Sequence, residues 1–308
     1  MITDGVSSAS ASAKADLPLA VGPAMSASGG RVFVFIATLV AGDGLKAGDI
    51  SALCDALGGT AGPVVDGVAC DFLFEHRHTG ENCDSVTVGI DIIIQPLAHR
   101  QRKLLVADMD STMITVECID ELADYAGLKA EVSDVTERAM RGEIDFAGAL
   151  RDRVALLAGL SEATVAECLR ERVKLMGGAK ALIHTFRANG GEAILVSGGF
   201  THFTGPVAKE IGFDRAIANR LVVKDGALTG TVEQPIVDAS TKRAVLLKAL
   251  DGRDPSVSIA IGDGANDIPM IEAAGLGVAY HAKPKTEAAA DACVRFGDLN
   301  VVRYALGL

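Results

Sequence analysis

The 308-residue chain has no tryptophan and three tyrosines, and aromatic side chains make up only 4% of it. Its core must therefore be filled by aliphatic and small residues, and 49% apolar content with 34 glycines supplies them. Small-residue usage of this kind suits close helix-on-sheet packing in an α/β fold and speaks against a β-sandwich. Positive charge is also short, with 29 Lys and Arg against 40 Asp and Glu and a net charge of -11. That balance excludes non-specific nucleic-acid binding by the whole chain. An anionic ligand would then need a local basic pocket or a metal. No apolar run reaches the roughly 18 residues of a membrane helix, so no membrane partner is expected. The six cysteines, Cys54, Cys70, Cys83, Cys118, Cys168 and Cys293, show no C-x-x-C spacing. They read as free thiols in a reducing, cytoplasmic compartment. Residues 1–29 are rich in Ala, Ser and Gly without a basic segment followed by an apolar one, so they read as a flexible tail and not a signal peptide.

What is present falls into two parts. Residues 31–39 are strand-like, 46–57 have helical spacing, and 64–75 and 84–94 are again strand-like. A small α+β domain of βαββ order is expected over 30–98. Pro96 and the basic cluster His99-Arg100-Gln101-Arg102-Lys103 read as a solvated join. From there the pattern changes. Strand-like runs at 103–108, 193–197 and 257–261 alternate with helical segments, which predicts a parallel sheet within a second domain, 99–308. Helical stretches near 117–126, 131–141, 145–157, 161–173 and 178–189 separate the first two runs. Ser161 is a candidate N-cap, and Gly190-Gly191 suits the end of the last helix. A helical block inserted directly after a sheet strand, about 117–189, reads as a cap over a site. Further on, Lys224-Asp225-Gly226-Ala227 carries the D-G signal of a hairpin.

Four segments carry chemistry. Asp108-Met109-Asp110-Ser111-Thr112 follows the apolar run Leu104-Leu105-Val106-Ala107, placing two carboxylates where open α/β sheets put their sites. Two acids in one small site can divide the work of nucleophile and proton carrier. Ser197-Gly198-Gly199, after a second apolar run, offers a hydroxyl and unhindered N–H groups that can cradle a phosphate. Lys242 stands near the start of a helix. Gly262-Asp263-Gly264-Ala265-Asn266-Asp267 follows a third apolar run, and its two acids suit a hard divalent cation.

In this order and at these places, the four segments resemble the haloacid dehalogenase superfamily, and most closely the phosphoserine phosphatases within it. The resemblance covers roughly residues 103–308 and implies a Rossmann-like (HAD-like) parallel sheet core with an inserted helical cap. It further implies that Asp108 is the nucleophile, forming an aspartyl-phosphate, and that Asp110 is the proton donor and acceptor. Mg²⁺ would be held by Asp108, the Asp110 carbonyl and Asp263. Ser197, Gly198 and Lys242 would hold the phosphoryl oxygens, Asn266 would contact the substrate, and Asp267 would position Lys242 and the metal waters. At the family's spacing from the nucleophile, Glu117 would meet the substrate ammonium, Arg153 its carboxylate, and Phe146 would shield the closed site. The implied reaction is hydrolysis of O-phospho-L-serine to L-serine, the last step of serine biosynthesis. Alternatives are another small phosphate ester, such as phosphohomoserine, or an inert amino-acid-binding regulator. The N-terminal unit resembles a degenerate ACT-type domain, where serine binding and a structural or homodimer-forming role both stay open.

Overall fold

In the computed structural model, residues 34–75, 89–141 and 143–308 are described. The expected tail, Cys83 and the first residues of the expected strand 84–94 lie outside them. The N-terminal unit comprises β1 (Phe35–Val40), α1 (Ala47–Leu57), β2 (Thr60–Val65), β3 (Ala69–Phe74) and β4 (Asp91–Pro96). Its antiparallel sheet has the order β2-β3-β1-β4. Leu39, Leu53, Phe72 and Phe74 form its own small core. The expected single strand 64–75 is two strands, because Asp66 and Gly67 both take positive φ, 52° and 74°. The two positive φ values turn the chain within a three-residue connection, 66–68, with Val68 N–H donating to Val65 O at 3.0 Å and Val65 paired with Ala69. The described order is therefore βαβββ.

The basic join is solvated only in part: His99, Gln101 and Lys103 are exposed, but Arg100 and Arg102 turn inward. Arg102 is 4% exposed and donates to the carbonyls of Ser256 and Ser258 and to Gln95 Oε1, at 2.6, 3.3 and 3.0 Å. Arg100 donates to the carbonyls of Tyr304 and Ala305 and pairs with Asp71 at 2.7 Å. Planar guanidinium groups are well matched to such converging oxygens, so the cluster fastens the two sheets together.

The larger part begins with β5 (Leu104–Ala107), buried at all four positions. Helices α2 (Cys118–Tyr125), α3 (Lys129–Met140), α4 (Phe146–Leu156), α5 (Glu162–Arg172) and α6 (Ala179–Ala188) follow. Asp145 caps α4 by accepting from Gly148 N–H, and Ser161 caps α5 by accepting from Thr164 N–H. The chain leaves and re-enters the core through a paired neck, with Thr115 N–H on Lys174 O and Met176 N–H on Met113 O. The expected span 117–189 thus divides: α2 to α5 pack on one another beyond the neck, while α6 packs on the sheet side.

Then come β6 (Glu192–Phe200), α7 (Thr201–Ile211), β7 (Arg215–Asn219), the hairpin β8 (Leu221–Lys224) and β9 (Ala227–Val232), and α8 (Ala239–Leu250). The hairpin turns at Asp225-Gly226 as the sequence predicts. It docks on the link between α4 and α5, exchanging Gly159 N–H to Leu228 O and Leu228 N–H to Leu160 O, both 2.8 Å. The chain ends with β10 (Ser258–Gly262), α9 (Ile268–Ala273), β11 (Leu276–Tyr280), α10 (Pro284–Glu287), β12 (Ala292–Val294) and α11 (Asn300–Ala305). The six-stranded sheet is parallel throughout, in the order β12-β11-β10-β5-β6-β7. Strand order reverses between β5 and β10, so the crevice of this open sheet falls at their carboxyl ends. Among the described residues no helix is long and apolar enough to cross a membrane.

Candidate active site

Three of the four sequence segments meet at that reversal point. Asp108 continues the β5 ladder, its N–H donating to Ile261 O at 2.9 Å. Its Oδ1 lies 2.6 Å from Lys242 Nζ, which also donates to Asp267 Oδ1 at 2.7 Å. Lys242 is wholly buried. It is aimed by the first turn of α8, which Asp238 caps by accepting from Thr241 N–H at 2.8 Å. Asp267 Oδ2 accepts from Gly264 N–H, and a Cβ on Gly262 would stand 2.5 Å from the Asp267 Cβ. Glycine at 262 is thus what lets the Asp267 carboxylate come in under the strand end. Asp263 accepts from the Thr112 hydroxyl at 3.2 Å.

One oxygen each from Asp108, Asp263 and Asp267 lies within 4.8 Å of the others. Lys242 is the one cation among the described residues paired with these carboxylates, two of them buried and Asp263 half-buried, so the cluster carries an excess of negative charge. Burial and Asp267 push Asp108 up from the ordinary aspartate value while Lys242 pulls it down. Burial and the neighbouring acids push Asp263 up to about 6. The two carboxylates hold Lys242 charged against its burial. Clustered hard oxygen donors short of positive charge fit a divalent cation. Asp267 belongs to this cluster, as the pair of acids in the 262–267 segment led one to expect, and it also holds Lys242.

Asp110 lies beside it. Burial and the Glu117 carboxylate push it up to about 7, partly offset by hydrogen bonds from the Cys118 thiol and backbone. A neutral carboxyl at that position can donate a proton near neutral pH. Ser111, at φ 54°, donates its hydroxyl to Glu117 Oε1 at 2.8 Å and so ties the start of α2 to the Asp108–Thr112 turn.

The Ser197-Gly198-Gly199 segment stands, as expected, at the end of its strand and just before a helix, α7. It lies within β6, which runs on to Phe200 with a register shift against β7 between Val196 and Phe200. Ser197 Oγ accepts from Gly199 N–H at 2.9 Å, and Gly198 O accepts from Asn219 Nδ2 at 2.7 Å. A Cβ on Gly198 would come 3.4 Å from the Phe146 ring, so that phenylalanine sits directly over the glycine.

A cavity of about 400 Å³ joins these groups. Asp108, Asp110, Asp263, Ser197, Gly198 and Asn266 line it from the sheet, and Glu117, Phe146 and Arg153 from the helices. Lys242 and Asp267 do not line it; both are wholly buried behind Asp108. Burial lowers the Arg153 guanidinium, while Asp120 and Glu117 oppose the shift. Asp120, Thr136 and Lys283 also line the cavity and were not anticipated. Asp120 is three residues after Glu117 on one helix, a spacing that could have revealed it. Lys283 follows β11, whose strand end was not read. A groove of about 810 Å³ between α5, α6 and α7 is larger, but none of these carboxylates lines it.

Sheet, cap and acidic site together define a doubly wound α/β protein with a helical cap over an acidic site. A family profile described as haloacid dehalogenase-like hydrolase matches residues 105–272, a second of the same description matches 241–306, and the chain belongs to this family. It is 47% identical over 212 residues to a phosphoserine phosphatase of Albidiferax ferrireducens, covering 67% of this chain and 90% of the relative. With a phosphoserine phosphatase of Archaeoglobus fulgidus it shares 45% identity over 211 residues, 67% of this chain but only 61% of the longer relative. Among solved structures, the unliganded probable phosphoserine phosphatase of Vibrio cholerae superposes with a TM-score of 0.75 at 34% identity, covering 89% of this chain and 86% of that one. A substrate-bound phosphoserine phosphatase complex gives a TM-score of 0.61 at 38% identity, over 66% of this chain and 98% of that one.

Proposed function

We propose that the chain is a Mg²⁺-dependent phosphomonoesterase that releases L-serine and phosphate from O-phospho-L-serine. The observation that carries this reading is the single cavity in which Asp108, Asp110 and Asp263 face Glu117 and Arg153. The names of the relatives support the same substrate.

In this reading Asp108 attacks phosphorus in line, the bond to the seryl oxygen breaks, and Asp110 gives its proton to the departing alkoxide. Water then attacks the aspartyl-phosphate, Asp110 takes a proton back, and phosphate leaves. The upward shift of Asp110 to about 7 supports its first role, because the donor must be neutral when substrate binds. Lys242 orients Asp108 and balances charge as it moves onto the phosphoryl oxygens, with the Ser197 hydroxyl and Gly198 N–H as further donors. The Mg²⁺ ligands would come from Asp108, the Asp110 carbonyl and Asp263, with Asp267 behind them. When bound, the ion supplies the positive charge that an anionic nucleophile needs to meet an anionic ester. Glu117 takes the ammonium, Arg153 clamps the carboxylate, Asn266 contacts the substrate and Phe146 closes over it. A cytoplasmic setting accords with the free thiols Cys54, Cys70, Cys118, Cys168 and Cys293.

The test is phosphate release from L-phosphoserine, with Mg²⁺ and with EDTA, beside sugar, nucleotide and homoserine phosphates. Strong preference for phosphoserine, abolished by EDTA, is expected. Turnover of other esters alone would overturn the substrate, and no turnover at all would overturn the enzyme.

A further inference from the structure

Arg153 is an unusual cation for a half-buried position. Its one hydrogen bond among the described residues runs from Nε to Ala149 O in its own helix, at 3.3 Å, and it forms no ion pair there. Burial costs a guanidinium less than an ammonium, but one left over a cavity still needs nearby negative charge to stay there. Two carboxylates at the start of α2 supply it, the N-cap Glu117 and Asp120 in the first turn. Glu117 is committed elsewhere, accepting from Ser111 Oγ at 2.8 Å beside the catalytic turn. Asp120 stands one helical turn on and has no side-chain partner of its own among the described residues. It lines the active cavity together with Arg153 and also an adjoining cavity of about 140 Å³. Asp120 and Thr136 are the two residues common to both cavities, so Asp120 stands at the partition, on the outer side of the site. Of the charges acting on the Arg153 guanidinium, Asp120 comes first and Glu117 second, whereas Glu117 is the first charge acting on Asp110.

We propose that Asp120 is a specificity-determining positioning residue: from α2 it holds the Arg153 guanidinium over the cavity, so that substrates bearing a carboxylate beside the phosphate ester are selected. The inference rests on the proposed phosphoserine phosphatase reading. The chemistry at phosphorus does not involve Asp120, so its removal acts on recognition alone.

The test compares L-phosphoserine with p-nitrophenyl phosphate, which has no carboxylate, in four proteins: the parent, Asp120→Asn, Arg153→Ala and the double variant. In Asp120→Asn, KM for phosphoserine should rise roughly fivefold with kcat within about twofold, as befits one partly exposed charge. Turnover of p-nitrophenyl phosphate should be unchanged, which also reports intact folding. Asp120→Glu should recover most of the loss. In the Arg153→Ala background, Asp120→Asn should add nothing, because its effect passes through the guanidinium. Equal losses on both substrates, no loss on phosphoserine, or a full additional loss without Arg153 would each overturn the proposal. A parent protein that cleaves p-nitrophenyl phosphate but not phosphoserine would instead overturn the substrate reading beneath it.

Discussion

Lys242 and Arg153 are the two basic residues on which the proposed mechanism depends, and their surroundings differ in kind. Lys242 is wholly buried between Asp108 and Asp267, at 2.6 and 2.7 Å, at the carboxyl edge of a parallel sheet. Arg153 is half-buried on a cap helix and pairs with no carboxylate among the described residues. A lysine locked between two acids has little freedom to discriminate among substrates; it fixes the nucleophile and the local charge. An unpaired guanidinium is free to accept a planar anion from outside. The floor of the cavity is thus built for a reaction common to phosphate esters, and the helical wall for choosing one of them. Replacing floor residues should abolish activity on every ester, while replacing the charged wall residues should change the ranking of substrates.

The largest effect is expected at Asp108. Asp108→Asn removes the attacking oxygen and should lower kcat on every ester on the order of 10⁴-fold or more, with phosphate release as the readout. Lys242→Met should come next and should show in stability as well as rate. It leaves the Asp108 and Asp267 carboxylates buried without their counter-charge, a loss of about 3–5 kcal/mol in urea unfolding of the metal-free protein. Saturating Mg²⁺ should recover part of that loss, since a bound cation supplies the missing charge.

The floor also predicts an unusual pH dependence. Asp110 is raised from 3.8 to about 7 and Asp263 from 3.8 to about 6. Between pH ~4 and the raised values the folded protein holds protons that the unfolded chain has released. Unfolding free energy of the metal-free protein should therefore fall as pH rises through that window. Adding Mg²⁺ should flatten the profile, because the cation favours the ionised acids. Denaturant titrations at pH 5 and 7.5 would decide; a metal-free protein more stable at 7.5 would contradict the charge excess described for the site. The smallest effect is expected from Phe146→Ala. It opens the lid over Gly198 and should lower kcat/KM several-fold on all esters by admitting water.

The same contrast separates what was legible in the sequence from what was not. The floor lies largely on short motifs at the ends of apolar runs, so Asp108 and Asp263 could be read from local order. Lys242, a lone lysine near a helix start, took its role only from the family resemblance. Helix boundaries between 118 and 188 were readable to within a few residues from periodicity and from caps such as Ser161. Tertiary pairings were not. Arg100 and Arg102 looked like a solvated charge run, because nothing local says that carbonyls of residues 256, 258, 304 and 305 converge on them. Asp120 and Lys283 reach the cavity only through the placement of whole elements. The two D-G turns differ for another reason. Asp225-Gly226 stands out between separate strand-like runs, whereas Asp66-Gly67 is hidden inside one nearly continuous apolar stretch, although both pairs adopt positive φ.

The division between floor and wall is tested most directly by kcat/KM of Arg153→Ala on two substrates, L-phosphoserine and p-nitrophenyl phosphate, at saturating Mg²⁺. A loss of roughly 100-fold on phosphoserine with less than about twofold on p-nitrophenyl phosphate is expected, the scale of one charge-assisted bidentate contact. Comparable losses on both esters would contradict it, and would make Arg153 part of the phosphate-transfer machinery itself.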